Sequence, residues 1–153
     1  RGEGAWVYYH SNGKLDSAGN VKNGEKDGAW VYYHEDGTVN RDRMGIYKNG
    51  EKDGAWIVYY ENGQLWYKEN YKNGKLEGAR VNYWSNGGLL SEGNYKNDKK
   101  EGVWIGYFEN GQLSYKGTWK YNMKEGVWVG YNENGNVFKP DTGTFKDGKK
   151  ISD

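Results

Sequence analysis

Cysteine is absent from the 153 residues, which excludes disulfides, a thiolate metal site and a thiol nucleophile and leaves the redox compartment undetermined. Apolar residues are scarce, 35% of the chain with a mean hydropathy of −1.15, too few for a deep two-layer core. No apolar run approaches membrane-spanning length, so membrane association is not supported. A signal-peptide pattern is lacking. The chain opens on Arg1 rather than Met, and the expectation is a trimmed segment; bacterial cytoplasm and cell surface both remain open. Proline occurs once. A disordered chain would also be poor in aromatics, and this one is not.

What the chain has instead is 25 Gly, 8 Trp and 15 Tyr. Aromatic rings must therefore supply most of the buried apolar area. These residues recur. Gly4, Gly28, Gly54, Gly78, Gly102 and Gly126 form one column, and Trp6, Trp30, Trp56, Trp104 and Trp128 follow two residues later, with Arg80 the exception. Repeats of approximately 4–27, 28–53, 54–77, 78–101, 102–125 and 126–150 make residues 1–153 a single repeat domain, the second repeat being two residues longer, with NRDRMG in place of a shorter link.

Each repeat holds two short alternating runs around Asn-Gly or Asp-Gly at 12/13, 36/37, 62/63, 86/87, 110/111 and 134/135. These dipeptides predict two-residue type I′ hairpin turns. A second turn signal, KNG or a relative, links one hairpin to the next at 22–24, 48–50, 72–74, 96–98 and 120–122. The predicted fold is all-β: a single-layer antiparallel meander of six stacked β-hairpin repeats, an elongated twisted ribbon. Its roughly twelve strands at ~4.8 Å spacing span roughly 55 to 60 Å. Two-residue turns would pair Glu61 with Gln64, Tyr60 with Leu65 and Trp56 with Glu69, and would set Trp6 opposite Gly19 and Trp104 opposite Gly117. An indole then covers a strand glycine that has no side chain of its own. Alternation puts the tryptophans on one face, the expected packing face, and Ala29, Val31, Tyr33 and their equivalents on the other.

Chemistry is sparse. His10 and His34 fall at equivalent positions, roughly 9 to 10 Å apart across two strand steps, too far to share one zinc. Ser11 beside His10 is a turn neighbour, not an oriented catalytic pair, and the turn carboxylates Glu35 and Asp36 suit solubility. An EF-hand pattern is absent. The expectation is no catalytic residue, no metal, no cofactor and no enzymatic activity. Sorted by edge, the charges separate. Lys22, Lys26, Lys48, Lys52, Lys72, Lys75, Lys96, Lys99, Lys100, Lys120 and Lys124 cluster at the inter-hairpin turns, interleaved with Glu25, Asp27, Glu51, Asp53 and Glu77. Glu35, Asp36, Glu61, Glu109 and Glu133 lie at the opposite turns. A solvated mixed-charge rim is expected, without the basic stripe that nucleic acid would require.

Two columns break together. Glu69 replaces the glycine facing Trp56, and Arg80 replaces the tryptophan of the fourth repeat. Pairing places the two directly opposite or diagonal on the tryptophan face, able to form an ion pair worth about 0 to 1 kcal/mol at an exposed site. The resulting polar patch, with Arg80, Glu69, Asn82 and Trp84 flanked by Trp56 and Trp104, is the candidate partner-reading surface, since Arg and Trp are enriched at binding hot spots.

The pattern GxWxxYYxNGxLxxxGxYKNGxxxG, running from Gly4 to Gly148, resembles the bacterial variant of the MORN repeat. Arg80, the Asn97-Asp98 and Tyr121-Asn122 links and the longer second and sixth repeats depart from it. The resemblance implies a hairpin-repeat scaffold for protein–protein interaction, and such bacterial proteins often serve as antitoxin or immunity components, so a toxin partner is one expectation. Two alternatives stand beside it: a carbohydrate or cell-wall binding module using exposed rings, and a structural protein self-associating end to end through unpaired edge strands.

Overall fold

The computed structural model describes residues 2–153; Arg1, where the trimmed start is expected, and the side chains of Asp42 and Arg43 lie outside the described residues. Fourteen strands form one antiparallel sheet. They are β1 (Gly4–Tyr9), β2 (Leu15–Lys22), β3 (Glu25–Tyr33), β4 (Val39–Lys48), β5 (Glu51–Tyr59), β6 (Leu65–Lys72), β7 (Lys75–Leu76), β8 (Gly78–Tyr83), β9 (Leu89–Lys96), β10 (Lys99–Tyr107), β11 (Leu113–Lys120), β12 (Met123–Gly130), β13 (Gly143–Lys146) and β14 (Lys149–Ser152). Spatial order follows chain order, with β7 and β8 both pairing β6. The all-β meander is as expected. The strand number rises from the expected twelve because β14 adds a strand beyond the six hairpins and the strand entering the fourth repeat is split at Glu77 into β7 and β8.

The type I′ assignment of the Asn-Gly and Asp-Gly turns is corrected. At the Asn-Gly sites Gly63 N–H donates to Tyr60 O (2.9 Å) and Tyr60 N–H to Gln64 O (2.8 Å), closing a three-residue loop. Of these loop residues only the glycine has positive φ, +81° at Gly63. This is a type I turn followed by a left-handed glycine. The Asn62 Oδ1 accepts from the Gln64 N–H at 3.0 Å, a local bond that holds asparagine out of the left-handed region. The type I′ turns are the inter-hairpin links, where both central residues have positive φ: Asn23 and Gly24 at 53° and 86°, Asn49 and Gly50 at 50° and 77°, Asn73 and Gly74 at 49° and 72°.

Register is corrected accordingly. Tyr60 bonds Gln64 and Tyr59 pairs Leu65, in place of Tyr60–Leu65 and Glu61–Gln64. A shift between Val58 and Tyr59 then restores the count, so Trp56 does face Glu69. Trp6–Gly19 and Trp104–Gly117 also pair as expected.

A second irregularity explains the glycine column. Gly19 pairs Trp30, yet Asn20 pairs Asp27, so Gly28 and Ala29 bulge out of the ladder. Gly28, Gly54, Gly78, Gly102 and Gly126 sit there with φ between 69° and 93°, a conformation glycine adopts without the Cβ penalty. Across the strands this produces a row: Trp6, Gly19, Trp30, Gly45, Trp56, Glu69, then Arg80, Gly93, Trp104, Gly117, Trp128 and Gly143.

The core is this row. Trp30, Trp56, Trp104 and Trp128 are 1 to 2% exposed. Each lies over the glycine of the preceding strand, Gly19, Gly45, Gly93 and Gly117, whose Cβ would collide with the ring. Trp104 is thus paired with Gly117 but covers Gly93, and Trp6 packs on Gly2. The expectation that each indole covers the glycine of its own hairpin is corrected by one strand. Each buried indole N–H donates to a backbone carbonyl, Asn20, Ile46, Asn94 and Thr118 O in turn, at 2.9 to 3.2 Å. Tyr47, Tyr95 and Trp119 meet Trp56, Trp104 and Trp128 edge to face at 5.1 to 5.3 Å. On the opposite face Val103 and Val127 stay exposed, which makes the tryptophan face the packed one.

Candidate functional site

The tryptophan face carries a second row that links charge to the rings. Lys26, Lys52, Lys100 and Lys124 each stand four residues before a column tryptophan, and each ammonium lies 4.2 to 4.7 Å from that indole's centroid. The same cation reaches the next repeat's ring: Tyr47 at 5.3 Å, Tyr71 at 4.7 Å, Trp119 at 4.9 Å and Phe145 at 4.8 Å. Such contacts contribute about 0.5 to 2 kcal/mol each according to their desolvation. These four lysines therefore leave the solvated edge where sequence placed them. Burial, then the nearby Arg80 charge, pushes the Lys100 ammonium below its usual range. The interleaved acids have structural work as well. Asp53, Glu77, Glu101 and Glu125 accept the backbone N–H of Asn73, Asn97, Tyr121 and Asp147, the first residue of the next type I′ turn.

Between the third and fourth repeats three columns change at once: Glu69 for glycine, Leu76 for lysine and Arg80 for tryptophan. Arg80 Nη1 bonds Glu69 Oε2 at 2.8 Å, confirming the expected ion pair. The site is not exposed as expected, since Glu69 is 3% accessible. Around the pair, Tyr71 OH donates to Glu69 Oε1 (2.8 Å), Arg80 Nε to Asn82 Oδ1 (3.0 Å), and Asn82 Nδ2 to Ser91 Oγ (3.0 Å). The guanidinium lies 4.7 Å from the centroid of Tyr67. Burial, then the bond to Glu69, holds the Tyr71 phenol far above its ordinary range. A carboxylate buried this deeply depends on its partner, and loss of one member would leave an uncompensated charge.

The other expected residues divide. Asn82 is part of the network. Trp84 donates its indole N–H to Tyr107 O at 3.1 Å. Trp56 and Trp104, 2% and 1% exposed, are the floor of the face and not contact surface. His10 Nε2 sits 3.0 Å from Tyr33 O and 3.6 Å from Asp16, while His34 is exposed.

Beside the network is a feature absent from the sequence reading. Val58, Tyr60, Glu61, Trp66, Tyr67 and Ser85 line a depression of about 650 Å³. Trp66, 45% exposed, stacks on Tyr60 at 5.3 Å and 25° and meets Tyr67 edge to face at 5.2 Å. Tyr67 belongs to both the depression and the Arg80 network, so the two are contiguous. The available signal was that Trp66 stands outside the tryptophan column, where the repeat gives it no structural duty.

No helix among the described residues is long and apolar enough to cross a membrane. The model of the MORN repeat variant matches residues 2–23, 52–73, 76–97 and 100–121. No curated protein matches the chain. A solved structure titled "Crystal structure of GtfA/B complex bound to UDP and GlcNAc" aligns with 80% of this chain at 14% identity and a TM-score of 0.23, and this chain spans 21% of that one.

Proposed function

Because this chain belongs to the MORN repeat-variant family, whose repeats are generally modules for binding, we propose that it is a non-enzymatic scaffold for a protein partner. The partner is read at the break between the third and fourth repeats. The observation that supports this most strongly is the coincidence of two departures from the repeat: the Glu69–Arg80 network and the exposed Trp66 lie in one contiguous area. A partly exposed guanidinium beside an accessible indole suits a binding hot spot. If the chain is an immunity-type protein, the partner is a toxin held inactive by stoichiometric binding.

Co-expression with the product of a neighbouring gene, followed by size exclusion with light scattering, tests the reading. The expected result is a one-to-one complex weakened at least tenfold by Trp66→Ala. Chains that elute separately, or a Trp66→Ala complex of unchanged affinity, would contradict it. The open stacked pair Tyr60 and Trp66 also favours a second reading, carbohydrate binding, because sugar rings stack on such platforms. Affinity electrophoresis in polysaccharide gels decides it, retardation abolished by Trp66→Ala being the supporting result.

A further inference from the structure

The tryptophan face carries more positive charge than it neutralises. Its acidic groups at the row are already engaged, Glu69 with Arg80 and Asp141 with Lys124. Lys26, Lys52 and Lys100 have no carboxylate partner among the described residues; Lys26 and Lys52 only reach the phenol oxygens of Tyr32 and Tyr71, at 2.8 and 3.4 Å. A second observation points the same way. The Trp119 indole N–H is buried with no hydrogen-bond partner among the described residues. It belongs, with Lys100, Tyr115 and Lys124, to the lining of a depression of about 290 Å³. A buried donor left open beside an unpaired ammonium suits a site for an anionic oxygen.

Spacing narrows the class of anion. Lys26 and Lys52 lie on β3 and β5, and two strand steps separate them by about 9 to 10 Å. In a polyproline II segment every third residue returns to the same side after about 9.3 Å. An acidic residue at every third position would therefore meet Lys26 and Lys52 in succession and, past the Leu76 position where the column lacks an ammonium, Lys100. Nucleic acid is a poorer match, with a phosphate about every 3.4 Å along each strand. A bilayer surface favours cations that project outward, whereas these are half-buried against rings.

We propose that the tryptophan face is a track for an acidic, extended segment of the protein partner, with carboxylates seated on the ammonium groups of Lys26, Lys52 and Lys100. This rests on the reading of the chain as a protein-binding scaffold. The segment runs across the strands, passes the Glu69–Arg80 break and ends at the open Trp119 donor. The lysine side chains are held in place by the rings beneath them, so little rotamer freedom is lost when the carboxylates arrive.

The test uses a labelled peptide of five Glu-Pro-Pro triplets, about 15 residues and about 46 Å in the polyproline II form, and its Gln-Pro-Pro counterpart. Fluorescence anisotropy on the intact protein should show the glutamate peptide bound at least tenfold more tightly than the glutamine one, and weakened by added salt. Lys52→Met with Lys100→Met, which keeps the aliphatic cover over the indoles, should lose at least tenfold, while Lys52→Arg with Lys100→Arg retains binding. Equal affinity for the two peptides would overturn the proposal even if the methionine variant failed to fold. So would tighter binding of heparin, a single-stranded oligonucleotide or phosphatidylserine vesicles with the same lysine dependence. A partner complex that forms with unchanged affinity on the folded methionine variant would overturn the track and leave the scaffold reading standing.

Discussion

Trp104 fills the space over Gly93, donates its indole N–H to Asn94 O and carries the Lys100 ammonium on its ring. Trp104→Ala should therefore lower stability by about 3 to 5 kcal/mol, measured as a shift in urea midpoint. Gly93→Ala should cost about 1 to 3 kcal/mol by overpacking, because the new Cβ enters the ring. The tryptophan–glycine relation was legible in the sequence, but not which glycine each ring covers, since a strand pairs with two neighbours and residue counting does not give the side chain's lean. The lysine–tryptophan spacing of four residues was equally visible. In a regular strand it would separate the two by about 13 Å. Only the bulge at Gly28 and its equivalents shortens that path, and a bulge has no signature in alternation. The buried phenols add a pH dependence. Burial raises the pKa of Tyr71, Tyr95 and Tyr115 above the ordinary value of 10.0. A raised folded-state pKa stabilises below the unfolded value, and that contribution is lost as pH rises beyond it. Urea midpoints should thus begin to fall from about pH 10, and Tyr71→Phe should flatten the decline; an unchanged decline in that variant would remove Tyr71 as a cause.

At the element scale the two turn families divide the labour. The three-residue loops accept any geometry that leaves glycine third, and their asparagines tie one repeat to the next, as Asn62 Nδ2 does by donating to Ser85 O at 2.9 Å. The type I′ links need positive φ at both positions, and two of them lack glycine: Asn97 and Asp98 at 48° and 64°, Tyr121 and Asn122 at 52° and 66°. A tyrosine in the left-handed region is strained. Tyr121→Asn should raise stability by about 0.5 to 1 kcal/mol despite loss of the exposed ring, and a lowered denaturation midpoint would show that the ring outweighs the strain. Both turn positions could be read from the sequence. The type at the hairpin Asn-Gly sites was not legible because Asn-Gly fits either turn, and the choice depends on whether the asparagine side chain bonds its own backbone.

Across the whole molecule each repeat touches only its neighbours, so stability accumulates unit by unit. Deleting residues 126–153 should leave a folded but less stable sheet, with Gly117 uncovered by loss of Trp128; total loss of β circular dichroism would refute the modular picture. The repeat period made the fold legible from sequence. It did not foretell the interior of the sixth repeat, where Pro140 sits in a short 3₁₀ turn, Lys139–Asp141, between β12 and β13. Nor did it reveal the depression around Trp66, which forms only once the loop and β6 meet. The functional account turns on the break in the array, where the repeat sacrifices a tryptophan, a glycine and a lysine for a buried ion pair. The most direct measurement is partner affinity by calorimetry for a variant that restores the repeat: Glu69→Gly, Leu76→Lys and Arg80→Trp together. The account predicts an intact sheet by circular dichroism and affinity reduced at least tenfold. A well-folded variant that binds the partner as tightly as the natural chain would contradict it.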